Sequence, residues 1–178
     1  MAFERHRDDR GTTYSVEVDG LEGTGIDLYG LYLLIAEALE EQRSKTQADE
    51  IEDELRRIRE YGANPDYFRR ELAESSALPY RNEFRDEYWL DILPKYWDLP
   101  QMRLYLWVCG SDVVLFSGGV KTTNDPKDCP NVRDAFLQAG EFSVRLRDQL
   151  GNDLRIIDDR LHLNFGRGMH TPPAGHAF

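Results

Sequence analysis

The sequence predicts an α+β domain: a small antiparallel β-sheet carrying an N-terminal αα-hairpin, with a C-terminal helix packed on it. Three observations predict it. Residues Arg103-Leu104-Tyr105-Leu106-Trp107-Val108-Cys109 alternate with period two, and after Gly110-Ser111 the run Val113-Val114-Leu115-Phe116 reads as a returning strand. Apolar residues between Ile26 and Ile58 recur at helical spacing, with a break near residues 43–45. A third helical pattern, Val132, Phe136, Ala139, Phe142, Leu146 and Leu150, follows the strands.

Taken in order, residues 1–12 are polar and read as a flexible N-terminus, and residues 13–165 form the single domain. Thr13 to Val18 alternates as a short strand with Tyr14, Val16 and Val18 on one face. The glycine-rich segment 19–25 is a turn. Thr24 then caps a first helix, with Asp27 in its first turn. Its stripe is Ile26, Tyr29, Leu33, Ala36 and Leu39, widened by Leu28, Leu31, Leu34 and Ile35, so a largely buried helix is expected. Arg43-Ser44-Lys45 reads as a tight connection, with Thr46 and Asp49 repeating the capping pattern. Ile51, Leu55 and Ile58 mark a narrower second stripe, which Gly62 ends. So short a connection makes an antiparallel pair the simplest arrangement.

From Ala63 to Pro100 the chain is rich in proline and large rings. A strand is expected near Leu78 and short helical turns from Phe84 to Leu93. The acidic, aromatic stretch 81–100 reads as a surface loop with aromatic anchors, or as a protein-binding excursion. On the first hairpin strand, Leu104, Leu106 and Val108 should face the core and Arg103, Tyr105 and Trp107 the solvent. Gly118-Gly119 ends or bulges the second strand. Pro130 suits the first turn of the third helix. Leu154–Ile157 and Leu161–Phe165 flank a turn and suggest a second hairpin. Residues 166–178, with three glycines and two prolines, read as a flexible tail.

Charge bounds the partners. Twenty-two Lys and Arg face 33 Asp and Glu, a net charge of -11. Such a field repels phosphate, which argues against duplex DNA and favours a basic protein partner. The apolar stretch from Leu28 to Leu39 is too short to span a bilayer, and the first residues lack the apolar core of a signal peptide, so no membrane contact and a cytoplasmic location are expected. Cys109 and Cys129 do not make a disulfide framework. No phosphate-binding glycine loop, dinucleotide fingerprint, zinc array or HExxH helix is present, and no cofactor is called for. The acidic run Asp49, Glu50, Glu52, Asp53 and Glu54 beside Arg56, Arg57 and Arg59 reads as a solvated helix face with intrahelical ion pairs.

The order of pieces resembles the RelE-type toxin superfamily. The likeness is carried by Ile58-Arg59-Glu60-Tyr61-Gly62-Ala63, Phe68-Arg69-Arg70-Glu71, Ala77-Leu78-Pro79, Arg103-Leu104-Tyr105-Leu106, the run from Val113 to Thr123, and Asp125-Pro126. It covers roughly Thr13 to Leu150. The resemblance implies a RelE-like fold and, in its toxin members, mRNA endoribonuclease activity, ribosome-dependent or free, held in check by an antitoxin. Cleavage by 2′-OH attack needs a base, cations near the phosphate and an acid for the leaving oxygen. The candidates are Arg103 and Arg70 (or Arg69) for phosphate contacts, Lys121 for charge stabilisation or proton transfer, and Tyr105 for base stacking. Such toxins are usually basic, whereas this chain is acidic. The expected function is therefore a non-catalytic interaction or accessory protein of a toxin–antitoxin or phage-borne system, with the endoribonuclease as the alternative. Its partner would be an antitoxin or another basic protein, with RNA or the ribosome as the partner under the alternative.

Overall fold

The computed structural model describes residues 3–4, 11–16, 26–40, 42–80, 101–149, 154–157 and 160–163. The expected turns at 84–93 and the cap at Thr24 lie outside these residues, as do Val18, the 81–100 excursion and the 166–178 tail.

Six strands form one sheet: β1 (Phe3–Glu4), β2 (Thr13–Ser15), β3 (Arg69–Arg70), β4 (Ser76–Leu78), β5 (Gln101–Cys109) and β6 (Asp112–Lys121). Their order across the sheet is β1-β2-β6-β5-β4-β3. The sheet is mixed, which corrects the purely antiparallel expectation: β2 runs parallel to β6, with Thr13 opposite Val113 and Ser15 opposite Leu115. Period-two spacing defines a strand without saying which edge it joins or in which direction. That choice is made by the chain's return through β5 and β6, long after β2 is laid down. Paired structure also begins before Thr13, because Phe3 and Glu4 lie opposite Tyr14 and Thr13. The β5–β6 hairpin is as the alternation predicts, with Gly110 at φ 62° in its turn.

Helix α1 (Leu28–Glu37) is capped by Asp27, whose side chain accepts the Gly30 amide at 2.6 Å. It starts where β2 stops: the Leu28 amide donates to the Val16 carbonyl at 2.8 Å and the Tyr29 amide to Ser15 Oγ at 3.1 Å. Helix α2 (Gln42–Tyr61) begins before the expected connection. Thr46 sits inside it and donates its hydroxyl to the Gln42 carbonyl at 3.0 Å instead of capping. Gly62, at φ 82°, stops it as expected. The two helices run side by side in opposite directions, Tyr29 early in α1 bonding Glu52 in the second half of α2. Helix α3 (Arg133–Gln149) follows a turn in which the Cys129 carbonyl accepts the amides of Val132 and Arg133. Strands β7 (Leu154–Ile157) and β8 (Arg160–Leu163) pair as a separate antiparallel hairpin.

Helices cover both faces of the six-stranded sheet. Ile51, Leu55 and Ile58 of α2 pack on Leu78, Leu104, Leu106 and Leu115. On the other face Val132, Phe136, Ala139 and Leu146 meet Ala77, Tyr105, Trp107 and Phe116. This corrects the solvent face assigned to β5: Tyr105 is fully buried and Trp107 is 7% exposed. Helix α1, expected to be largely buried, packs along β6 and leaves Leu34 and Ile35 exposed.

Candidate functional site

Strand register decides which candidate residues meet. Directly opposed residues on neighbouring strands point to the same face. Arg69 is opposite Ala77, and Ala77 is opposite Tyr105, so Arg69 shares the α3 face with Tyr105. Arg70 is opposite Ser76, which is opposite Leu106, so it lies on the α2 face. Of the two arginines considered for a phosphate contact, Arg69 thus shares the face of Tyr105 and Arg70 stands on the other. The alternation of a two-residue strand separates neighbouring arginines onto opposite sides of the sheet.

Lys121 reaches the α3 face through a bulge. Val114 and Phe116 of β6 point toward α3, and strict alternation would continue with Gly118 and Val120. Instead the register shifts between Leu104 and Leu106, where β6 carries one extra residue. Beyond it Gly119 lies opposite Arg103 and Lys121 opposite Gln101. A single inserted residue thus puts Lys121 beside Arg103.

The resulting cluster contains a residue that the sequence reading did not select, Glu71. Burial pushes its carboxyl up, while the charges of Arg103, Arg69 and Lys121 oppose that rise and Asp125 adds to it. Lys121 is pushed down by burial and by Arg103. Both shifts bring an acid and a base toward neutrality in one place. Arg103 is 4% exposed and donates to the Met102 carbonyl at 3.2 Å and to Gln101 Oε1. Tyr105 stacks edge-to-face on Phe136, and its buried hydroxyl finds no hydrogen-bond partner among the described residues. Burial, then the Glu71 charge, raises this phenol, so it is a donor and not a base. The signal for Glu71 was present: it stands two residues after Arg69, at the spacing that shares a strand face.

Cys129 closes one side of the cluster. Its fully buried Sγ accepts the Thr122 amide at 3.3 Å and lies 3.4 Å from the Thr122 hydroxyl. Burial alone raises the thiol, but hydrogen bonds from the Thr122 hydroxyl and from the Thr122, Asn131 and Thr123 amides outweigh it, bringing the group from 9.0 to about 7. The folded value lies below the unfolded one, so the thiolate stabilises the native state. That contribution is absent below about pH 7, grows through the interval and is complete above about pH 9. Relative to Cys129→Ala, the parent should gain up to roughly 2 kcal/mol of unfolding free energy across this window. Denaturant titrations at the two ends check it; parallel pH profiles for parent and variant would refute it.

A second feature lies on the other side of the sheet. Helices α1 and α2 enclose a groove of about 410 Å³ with Tyr32, Ala36 and Ala48 in its floor and Glu37, Asp49 and Glu52 along its rim. The acidic run on α2 is thus only partly a solvated face. Asp53 pairs with Arg56 at 2.9 Å as expected, but Glu52 accepts the Tyr29 hydroxyl, and Glu54 is buried and accepts the Tyr80 amide at 3.2 Å.

No protein-family model, curated protein or solved structure matches the chain. Among the described residues no cluster of histidine, cysteine and carboxylate side chains could hold a metal, and no helix is long and apolar enough to cross a membrane.

Proposed function

We propose that the chain is a cytoplasmic, non-catalytic interaction protein on a RelE-like scaffold, binding a basic protein segment such as an antitoxin's. One observation carries this reading: Arg103, the cation on the first hairpin strand, is turned inward. Arg103 and Tyr105 lie beneath α3 with Glu71 among them, and a guanidinium that shallow-binding phosphate must touch cannot be 4% exposed. The net charge of -11 then acts outward, toward cations. A lysine-rich peptide labelled for fluorescence anisotropy should bind, its affinity falling about ten-fold or more between low and high salt as the charges are screened. A glutamate-rich peptide of equal length should not. Equal binding of both peptides, or binding of neither, would sink the proposal.

The alternative, a RelE-like mRNA endoribonuclease, is favoured by the convergence of Arg69, Arg103 and Lys121 around Glu71. Induced expression with mapping of mRNA 5′ ends separates the two. Parent, Lys121→Ala and the Arg103→Ala/Lys121→Ala pair are expected to give the same 5′ ends. New cleavage sites made by the parent and lost in a folded Lys121→Ala variant would establish the nuclease.

A further inference from the structure

Helix α1 is more apolar than its place in the fold satisfies. From Leu28 to Ala36 it carries no charged residue, and a helix that is apolar on every side belongs in an interior. Two of its sides are covered by the chain itself: Tyr32, Leu33 and Ala36 join the core on the α2 side, Leu28 and Leu31 that on the α3 side. The third side is open. Leu34 is 50% exposed and Ile35 37%, and Ala38 is exposed at the C-cap. With half-buried Leu31 they stand at i, i+3, i+4 and i+7, one continuous helix face. Single exposed apolar side chains are ordinary, whereas an adjoining set at this spacing marks a surface for a partner.

The charge beside that face selects the partner. Glu37 and Glu40 are exposed where the stripe ends, and no basic residue in the last turn offsets the negative end of the helix. Across the α1–α2 groove Glu37 is joined by Asp49, with Lys45 the one cation among the lining residues. We infer that the outer face of α1 docks an amphipathic helix of a separate protein, apolar along one stripe and flanked by lysine or arginine. The inference rests on the interaction reading above and gives it a place, and the partner a conformation. Side chains at i, i+3, i+4 and i+7 form the ridge against which a second helix packs its own stripe. The partner's cations then lie over Glu37, Glu40 and Asp49. A second copy of the chain would set these carboxylates against their own kind, and each net charge of -11 against the other. The same field opposes an anionic bilayer surface.

The test titrates the full chain into three labelled peptides of equal length and reads fluorescence anisotropy. One is a helix with a leucine stripe flanked by lysines, the second carries the same stripe flanked by glutamates, and the third is lysine-rich without leucine. The Lys/Leu helix should bind at least about ten-fold more tightly than either of the others. It should lose about ten-fold or more to Leu34→Gln/Ile35→Gln, and about three- to ten-fold to Glu37→Gln/Glu40→Gln. Leu137→Gln, at a comparably exposed leucine on α3, should leave binding unchanged. An equal loss there would mean adhesion to any apolar spot and overturn the inference. Leu34→Gln/Ile35→Gln should keep the parent's Tm, because both side chains already touch water. A fall in Tm would place another segment of this chain over α1 and overturn the inference too. So would equal binding of both leucine-stripe helices, or self-association or binding to zwitterionic vesicles that this variant loses. If the lysine-rich peptide binds and the α1 variants bind every peptide as the parent does, the location is wrong and the interaction reading stands. If neither lysine-bearing peptide binds, both fall.

Discussion

Leu106→Ala and Trp107→Ala, adjacent on β5 and on opposite faces, should each lower the unfolding free energy by about 3–5 kcal/mol. Leu106 is fully buried among α2 side chains, and Trp107, 7% exposed, packs among those of α3. Each truncation removes apolar area and leaves a cavity that one helix layer must collapse to fill. A sheet covered on one face only would give one large effect and one small one. Leu137→Ala is the internal control: at 45% exposure on α3 it should cost within about 0.5 kcal/mol. Denaturant titration of the three variants gives the comparison. A Trp107→Ala variant that behaves like Leu137→Ala would remove α3 from that face, and with it the account of why Tyr105 and Arg103 are buried.

Among the described glycines, Gly118→Ala is expected to be the most damaging substitution, costing more than about 4 kcal/mol and leaving little folded protein. A Cβ at this position would stand 1.9 Å from the Arg103 carbonyl oxygen and 3.0 Å from Leu104 Cα. Both are backbone atoms of the paired strand, so no side chain can turn aside to admit the methyl group. The close approach follows the register shift that carries Lys121 to the α3 face. Gly110→Ala separates this from ordinary loss of glycine. Its φ of 62° is a left-handed conformation, but a Cβ there meets nothing within 4 Å, so the expected cost is about 1–2 kcal/mol. Thermal and denaturant unfolding of the pair decide the matter. A Gly118→Ala protein as stable as Gly110→Ala would mean that β6 can relax its bulge, and the position of Lys121 would then lose its physical basis.

Local chemistry determined much of this fold. The period-two run of β5, the Gly110 turn and the returning β6 declare a hairpin because alternate side chains must go to alternate faces. The stripes Ile51-Leu55-Ile58 and Val132-Phe136-Ala139-Leu146 declare two amphipathic helices, and Gly62 stops the first of them because it accepts a positive φ. Those same stripes also hold a signal that a strand-by-strand reading passes over. Two helices with apolar faces can cover both faces of one sheet, and a strand side bearing Tyr105 and Trp107 offers a second apolar face for one of them to pack on. Other features have no local signature. The direction of β2 beside β6 depends on where a strand a hundred residues later returns. Which of Arg69 and Arg70 faces α3 depends on register across β3, β4 and β5. Lys121 meets Arg103 because one extra residue in β6 reverses the alternation: Gly118-Gly119 signals an end or a bulge nearby, and only the pairing with β5 decides between them. Cys129 and Tyr32 acquire their character only from what surrounds them: hydroxyl and amide donors at a strand–helix junction for the thiol, burial and then the carboxylates of α2 for the phenol. Residue type sets which chemistry is available. The packing decides which groups lose water and which donors they meet: burial alone would raise the Cys129 thiol, and the hydrogen bonds it finds there bring it down to about 7.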